Sequence, residues 1–184
     1  SVIAWPIALS SPSGAEPMYP AIPHMGARYN ARPPRSSSVD AALRIRTTSR
    51  PMQVVATALE GVLLIEPKIF GDHRGFFVET YSEERYQAAG VPGRFVQDNL
   101  SSSSRGILRG LHYQLARPQS KLVSVVEGEI FDVAVDIRPD SKNYGRWVGV
   151  KLDGTTKKQL FVPAGFAHGF AVLSERAVVT YKCT

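Results

Sequence analysis

After Met52 the sequence becomes a series of short apolar runs separated by turn residues, at intervals of about ten residues. Within residues 130–137, apolar and polar side chains alternate, which is the period-two pattern of a β-strand. The same reasoning predicts strands over residues 76–81, 121–126, 130–137, 147–152, 159–162, 169–173 and 177–183. Many short strands at this spacing favour an all-β sandwich or barrel over an alternation of strands and helices.

Two local signals refine this picture. Glu127-Gly128-Glu129 separates two strand-like runs and therefore predicts a hairpin. One short helix is predicted after Ser82, which can cap its start, and Gly90 is expected to end it. Acidic residues in the first turn, Glu83 and Glu84, suit the positive end of the helix dipole.

Residues 1–51 have a different composition from the rest of the chain. They hold eight of the thirteen prolines and the run Ser36-Ser37-Ser38, and they keep no helical or strand period for long. We therefore predict a disordered N-terminal extension over residues 1–51 and a single folded domain over residues 52–184. His24 falls in the predicted extension and is not considered as a site residue.

The net charge of +6 is concentrated in this extension. Six arginines against Glu16 and Asp40 give residues 1–51 a charge of +4, which leaves +2 for residues 52–184. We therefore expect no nucleic-acid partner. The single cysteine, Cys183, excludes an internal disulfide framework and fits a reducing cytoplasm. With no uninterrupted run of 18 apolar residues, we expect no membrane partner either.

His112 is the first candidate for chemistry. It follows Arg109-Gly110-Leu111 in an apolar, strand-like stretch, and a histidine in such a stretch is most often a hydrogen-bonded core residue. Arg109 and Lys121, which begins the next predicted strand, bring cations close to it in sequence. A neutral histidine beside fixed cations suits removal of a proton next to a carbonyl, because the cations stabilise the enolate.

His168 is the second candidate. Pro163, Gly165 and Gly169 surround it and predict a sharp bend that directs the imidazole inwards. Pro-x-Gly-x-x-His is half of a cupin metal signature, but the other half requires His-x-His, and residues 112–114 read His-Tyr-Gln. With one ligand missing, we predict no metal site.

Three further segments each allow a structural and a functional interpretation. Arg74, in a glycine-rich charged segment before a strand, is either part of a solvated turn or a phosphate ligand. Gln97-Asp98-Asn99 is either a loop end or a set of base and ribose contacts. Tyr181, on the last predicted strand, is either half-buried packing or a general acid.

These segments together resemble the dTDP-4-dehydrorhamnose 3,5-epimerase family. The matching stretches occur in the family's order over residues 53–184, and they are 66–77, 95–99, 108–114, 121–123, 128–138 and 163–170.

The resemblance implies a cupin-type jelly roll, a homodimer, a dTDP-4-keto-6-deoxyhexose substrate and no cofactor. It implies that His112 removes the protons at C3 and C5, that Tyr181 returns a proton from the opposite face, and that Lys121 belongs to the catalytic set. It further implies a group of substrate-binding residues. These are Arg74, Glu79, Gln97, Asp98, Asn99, Arg109 and His168, some of them reaching across the dimer.

The sequence departs from the family pattern at both ends. The extension over residues 1–51 has no family counterpart and is expected to be dispensable. Family members continue beyond the position of Thr184, with an aspartate that pairs with the base histidine, so the domain is expected to be incomplete at its C-terminus. Three alternatives therefore stay open: a non-catalytic cupin that binds sugar nucleotides, a 5-epimerase and a 3,4-ketoisomerase.

Overall fold

The computed structural model describes residues 51–184. Apart from Pro51, the predicted disordered extension lies outside the described residues. One helix and twelve strands make up the fold. They are β1 (Gln53–Ala56), β2 (Leu63–Glu66), β3 (Ile69–Asp72), β4 (Gly75–Val78), α1 (Glu83–Ala88), β5 (Gln97–Ser104), β6 (Leu108–His112), β7 (Lys121–Glu127), β8 (Glu129–Asp136), β9 (Trp147–Asp153), β10 (Gln159–Val162), β11 (Phe166–Val172) and β12 (Arg176–Cys183).

The strands form two main antiparallel sheets and a small hairpin. One sheet has six strands in the order β1-β2-β10-β7-β12-β5, and the other has four in the order β6-β11-β8-β9. Strands β3 and β4 pair with each other in a two-stranded sheet. The all-β class predicted from the spacing of the apolar runs is therefore confirmed.

The main core lies between the two sheets. It is built from buried aliphatic and aromatic side chains of both, including Val123, Val125, Ile130 and Phe170. On β8 the buried positions are 130, 132, 134 and 136, so two aspartates face inwards. The larger apolar side chains of this strand, at positions 131, 133 and 135, are only partly buried. The alternation predicted the strand correctly, but a period of two does not say which set is buried.

A second cluster covers the outer face of the six-stranded sheet. Helix α1 packs Tyr86 against Ile65, Leu122 and Phe161 there. The Tyr86 hydroxyl donates a hydrogen bond to Oε1 of the buried Gln159, 2.8 Å away. Ser82 occupies the N-cap position without a side-chain capping hydrogen bond, contrary to the prediction. Within residues 51–184, no helix has the length and apolar character needed to cross a membrane.

The hairpin predicted at Glu127-Gly128-Glu129 is wrong. Strand β7 pairs with β10 and β12, whereas β8 pairs with β11 and β9, so this turn carries the chain from one sheet to the other. Gly128 has a φ of +83°, and a Cβ atom there would lie 2.1 Å from the carbonyl oxygen of Arg176. The glycine is therefore needed for close packing of the crossover against the start of β12.

Candidate active site

A cavity of about 270 Å³ opens between the two sheets, and five of the ten candidate residues line it. Its lining contains His112, Lys121 and Tyr181, together with Gln97, Asn99 and Cys183. The loop that follows β6 supplies the rest: Tyr113, Gln114 and Gln119. Residues that are up to 86 positions apart in the sequence thus meet in one polar cavity.

The six-stranded sheet forms one wall of this cavity. Gln97, Cys183 and Lys121 are register partners across β5, β12 and β7, and they form one row. Asn99 pairs with Tyr181 in the next row on the same face. Because side chains two residues apart share a face of a strand, this register presents the lysine and the tyrosine to the same space.

The four-stranded sheet contributes the histidines. His112, at the end of β6, is the register partner of His168 on β11, so the two side chains stand on the same face of the sheet. A bulge follows between His168 and Phe170. At that point, Cβ atoms at Gly110 and Gly169 would lie 2.6 Å from backbone atoms of the opposing strand. Only glycine therefore allows β6 to approach β11 so closely beside the histidine pair.

The surroundings of His112 favour its neutral form. His112 is an exposed residue of the cavity lining, yet partial desolvation lowers its pKa, and the neighbouring His168, Lys121 and Arg109 lower it further. Burial also lowers the pKa of the Lys121 ammonium. It raises the pKa of the Cys183 thiol, which keeps this group protonated in the cavity wall.

Asp132 is a site residue that the sequence analysis missed. Its Oδ1 lies 2.8 Å from Nε2 of His168, and both side chains are buried. The other oxygen, Oδ2, accepts no hydrogen bond from the described residues. The available signal was the pair of aspartates, Asp132 and Asp136, in the alternating pattern of residues 130–137.

Arg109 lies beside the cavity rather than in its lining. Its Nε donates to Oγ of Ser103 at 2.8 Å, and so it links β6 to the edge strand β5. Asp98 faces the opposite side of β5, where it pairs with Lys182 at 2.8 Å and lines a separate hollow of about 250 Å³. The period of two along β5 therefore separates Asp98 from Gln97 and Asn99.

The remaining two candidates lie outside the cavity. Arg74 is in the turn of the β3–β4 hairpin and pairs with Asp72, with 2.6 Å between Nη2 and Oδ2. Glu79 follows β4 and pairs with Arg85 of helix α1, whose Nε donates to Oε1 at 2.8 Å. The fold of one protomer does not bring either residue to the cavity that contains His112.

This arrangement is suited to moving protons on and off a carbon atom. On one wall the neutral imidazole of His112 can accept a proton from a carbon atom, and on the other wall the hydroxyl of Tyr181 can deliver a proton. Lys121 lines the same cavity as a cation that can stabilise an enolate oxygen. Within residues 51–184, no group of three or more histidine, cysteine or acidic side chains has an arrangement able to hold a metal ion.

Comparison with known proteins gives a consistent result. Residues 56–184 match the family model described as dTDP-4-dehydrorhamnose 3,5-epimerase. The chain is 53% identical to the enzyme of that name from Methanothermobacter thermautotrophicus over 130 residues, which are 71% of this chain and 70% of the relative. It is 53% identical to the Pseudomonas aeruginosa enzyme over 134 residues, 72% of this chain and 74% of the relative.

A solved structure gives the same match in three dimensions. It is dTDP-6-deoxy-D-glucose-3,5-epimerase from Legionella pneumophila Philadelphia 1, in complex with dTDP-4-keto-L-rhamnose. The TM-score is 0.70 at 55% identity, and the match covers 72% of this chain and 71% of that one.

Proposed function

This chain belongs to the dTDP-4-dehydrorhamnose 3,5-epimerase family, and we propose that it inverts C3 and C5 of dTDP-4-keto-6-deoxy-D-glucose to give dTDP-4-keto-L-rhamnose. The fold that the resemblance implied, a cupin-type jelly roll, is confirmed by the two antiparallel sheets and by the likeness to a solved relative. The reaction is an isomerisation in dTDP-rhamnose biosynthesis, and we propose that it proceeds in the cytoplasm without a cofactor.

The observation that carries this proposal is the pair of proton-transfer groups on opposite walls of one cavity. His112 comes from the four-stranded sheet and Tyr181 from the six-stranded sheet, and both line the same 270 Å³ space. Inversion at a carbon requires that a proton leaves one face and another arrives at the opposite face. In the proposed mechanism His112 is the base, Tyr181 is the acid, and Lys121 stabilises the enolate that forms between the two transfers.

The 4-keto group of the substrate explains why no cofactor is needed. It makes the protons at C3 and C5 acidic, because the carbanion is delocalised onto the carbonyl oxygen as an enolate. Gln97, Asn99 and His168 are proposed to bind the substrate. Arg109 is proposed to orient it from beside the cavity. The lowered pKa of His112 supports the role of base, since it favours the neutral imidazole.

We further propose that the protein acts as a homodimer. Arg74, Glu79 and Asp98 are assigned to substrate binding by the resemblance, yet they lie away from the cavity of their own protomer. A second copy would allow some of these residues to serve the neighbouring site. Large apolar side chains are exposed on the β3–β4 hairpin and on β5, with Phe77 at 67% and Leu100 at 71% exposure, and interfaces would cover them.

Solvent exchange tests the proposed activity. The protein is incubated with dTDP-4-keto-6-deoxy-D-glucose in D₂O and the sugar is followed by NMR. We expect deuterium to appear at both C3 and C5, together with the signals of the inverted product. Folded protein that introduces no deuterium at either carbon would contradict the proposal and favour a sugar-nucleotide-binding cupin without catalysis.

The same spectra separate the remaining alternatives. Deuterium and inversion at one carbon alone would identify a mono-epimerase. Movement of the carbonyl from C4 to C3 would identify a 3,4-ketoisomerase. A protein that binds dTDP in calorimetry without any of these changes would be a binding module.

A further inference from the structure

Among residues 51–184, the buried carboxylate of Asp132 has a single hydrogen-bond partner, His168. This carboxylate lies on β8, fully buried, between Ile130 and Ala134, which belong to the apolar core between the sheets. Its only hydrogen bond among the described residues is the 2.8 Å contact with His168. A buried carboxylate with one oxygen unpaired costs stability, so a fold selected for stability alone would favour an apolar residue here.

A comparison on the same strand makes this clear. Asp136, four residues further along β8, is equally buried, but both of its oxygens are satisfied. Arg138 donates to it from the backbone nitrogen and the guanidinium, and Ser141 donates through its hydroxyl at 2.6 Å. Asp136 thus closes a turn at the end of β8. Asp132 organises no turn, and its single partner is a ring nitrogen.

The hydrogen bond determines which nitrogen of His168 carries the proton. A carboxylate accepts hydrogen bonds, so Nε2 of His168 must be the protonated nitrogen when the ring is neutral. Nδ1 is then left as the acceptor nitrogen. Because His168 is the register partner of His112, this ring stands directly beside the proposed base.

We propose that Asp132 is a positioning residue for the epimerase reaction, which holds His168 beside His112 with the proton fixed on Nε2. The three residues lie on three consecutive strands, β8, β11 and β6, of the four-stranded sheet. The register pairs His168 with His112 on one side and with Ala134 on the other, so Asp132, two residues before Ala134, reaches the His168 ring diagonally and fixes its orientation and tautomer. The expected effect of Asp132 on catalysis rests on the proposed function, whereas the tautomer of His168 does not.

The tautomer is tested first, in the full-length wild-type protein. Histidines are labelled with ¹⁵N, and the ring nitrogens are observed by NMR across a pH series, with the His168 signals identified from a His168→Gln variant. Wherever the His168 ring is neutral in this series, we expect it to carry its proton on Nε2. A ring protonated on Nδ1 would overturn the proposal, whether or not the protein is active.

The catalytic consequence is tested with Asp132→Asn and with Asp136→Asn as the matched control. We expect Asp132→Asn to lower kcat about 10- to 100-fold, as loss of a carboxylate that orients a functional histidine does elsewhere, with KM little changed. Asp136→Asn should lower stability but leave the kcat of the folded protein unchanged. Equal kcat losses in both variants, or full kcat in folded Asp132→Asn, would overturn the proposal.

Two further outcomes remain informative. If Asp132→Asn does not fold, the wild-type tautomer measurement still decides the matter. If the wild-type protein introduces no deuterium into the substrate, the proposed function is wrong. The tautomer of His168 is still decided by the NMR measurement, which does not require activity.

Discussion

A neutral imidazole at position 112 requires an environment that penalises its protonation, and the site supplies one. Partial desolvation is the largest cause of its lowered pKa, and His168, Lys121 and Arg109 add to it. Activity that depends on neutral His112 should therefore persist to a lower pH than an ordinary histidine, with its pKa of about 6.5, would allow. The loss of activity on acidification should follow protonation of this ring.

The contribution of Lys121 to this effect can be measured directly. In Lys121→Gln the imidazolium form of His112 no longer faces that positive charge, so we expect the pKa of His112 to rise towards its ordinary value. The measurement is an NMR titration of the histidine Cε1–H signals. Lys182→Gln is the control, because Lys182 lies on the opposite face of the same sheet. A His112 pKa that is unchanged in Lys121→Gln, or that changes equally in Lys182→Gln, would contradict the account.

At the level of elements, the site depends on how closely β6 approaches β11. Gly110 has a φ of +121°, and a Cβ atom there would lie 2.6 Å from Cα of Gly169 and 2.8 Å from the carbonyl oxygen of His168. Any side chain at position 110 must push the two strands apart. The strands are then separated next to the His112–His168 pair.

We expect Gly110→Ala to lower the free energy of unfolding by about 2 to 4 kcal/mol, from backbone strain and steric overlap together, and to reduce kcat. Gly106→Ala is the matched control, because Gly106 also has a positive φ, of +79°, but nothing within 4 Å of its Cβ position. It should lose only about 1 to 2 kcal/mol, from backbone strain alone. Urea denaturation and kcat measured on both variants check this, and equal losses would argue against close strand approach as the cause.

The strands of this fold were largely predictable from sequence, but their pairing was not. Residues 121–126 and 130–137 were assigned correctly as strands, because alternation and β-branched residues depend only on local sequence. Their assignment to one hairpin failed because a two-stranded turn and a crossover between sheets both accept Gly128. Pairing depends on contacts distant in sequence, and a single sequence does not contain that information.

Only some of the site residues were predictable from the sequence. His112, Lys121 and Tyr181 were candidates from the sequence pattern and received their roles from the family resemblance, and the structure brings them to one cavity. Asp132 was missed because an aspartate in an alternating strand normally faces solvent. Only the three-dimensional structure shows that Asp132 is buried and that His168 on β11 lies within hydrogen-bonding distance of it.

For the whole molecule, the exposed apolar side chains matter most. Val96 and Leu100, at 73% and 71% exposure, flank Asp98 on one face of β5, at the edge of the six-stranded sheet. The β3–β4 hairpin adds Phe70 at 48% and Phe77 at 67%. Edge strands and exposed apolar side chains favour association, and the edge formed by β5 is our expected dimer interface.

We predict a dimer by light scattering at micromolar concentration, and we predict that Leu100→Glu shifts it towards monomer. A buried charge without a partner is strongly unfavourable at an interface, which explains the expected dissociation. Val55→Glu is the control, since Val55 is 44% exposed on β1, at the opposite edge of the same sheet. A monomeric wild-type protein, or dissociation by Val55→Glu alone, would contradict the assigned interface.

The central claim, that His112 removes the substrate protons, is tested most directly by the rate at which His112→Ala introduces solvent deuterium at C3 and C5. We predict that this rate falls at least about 100-fold in folded protein, within the range expected for loss of a general base. A His112→Ala variant that exchanges both protons at the wild-type rate would contradict the claim.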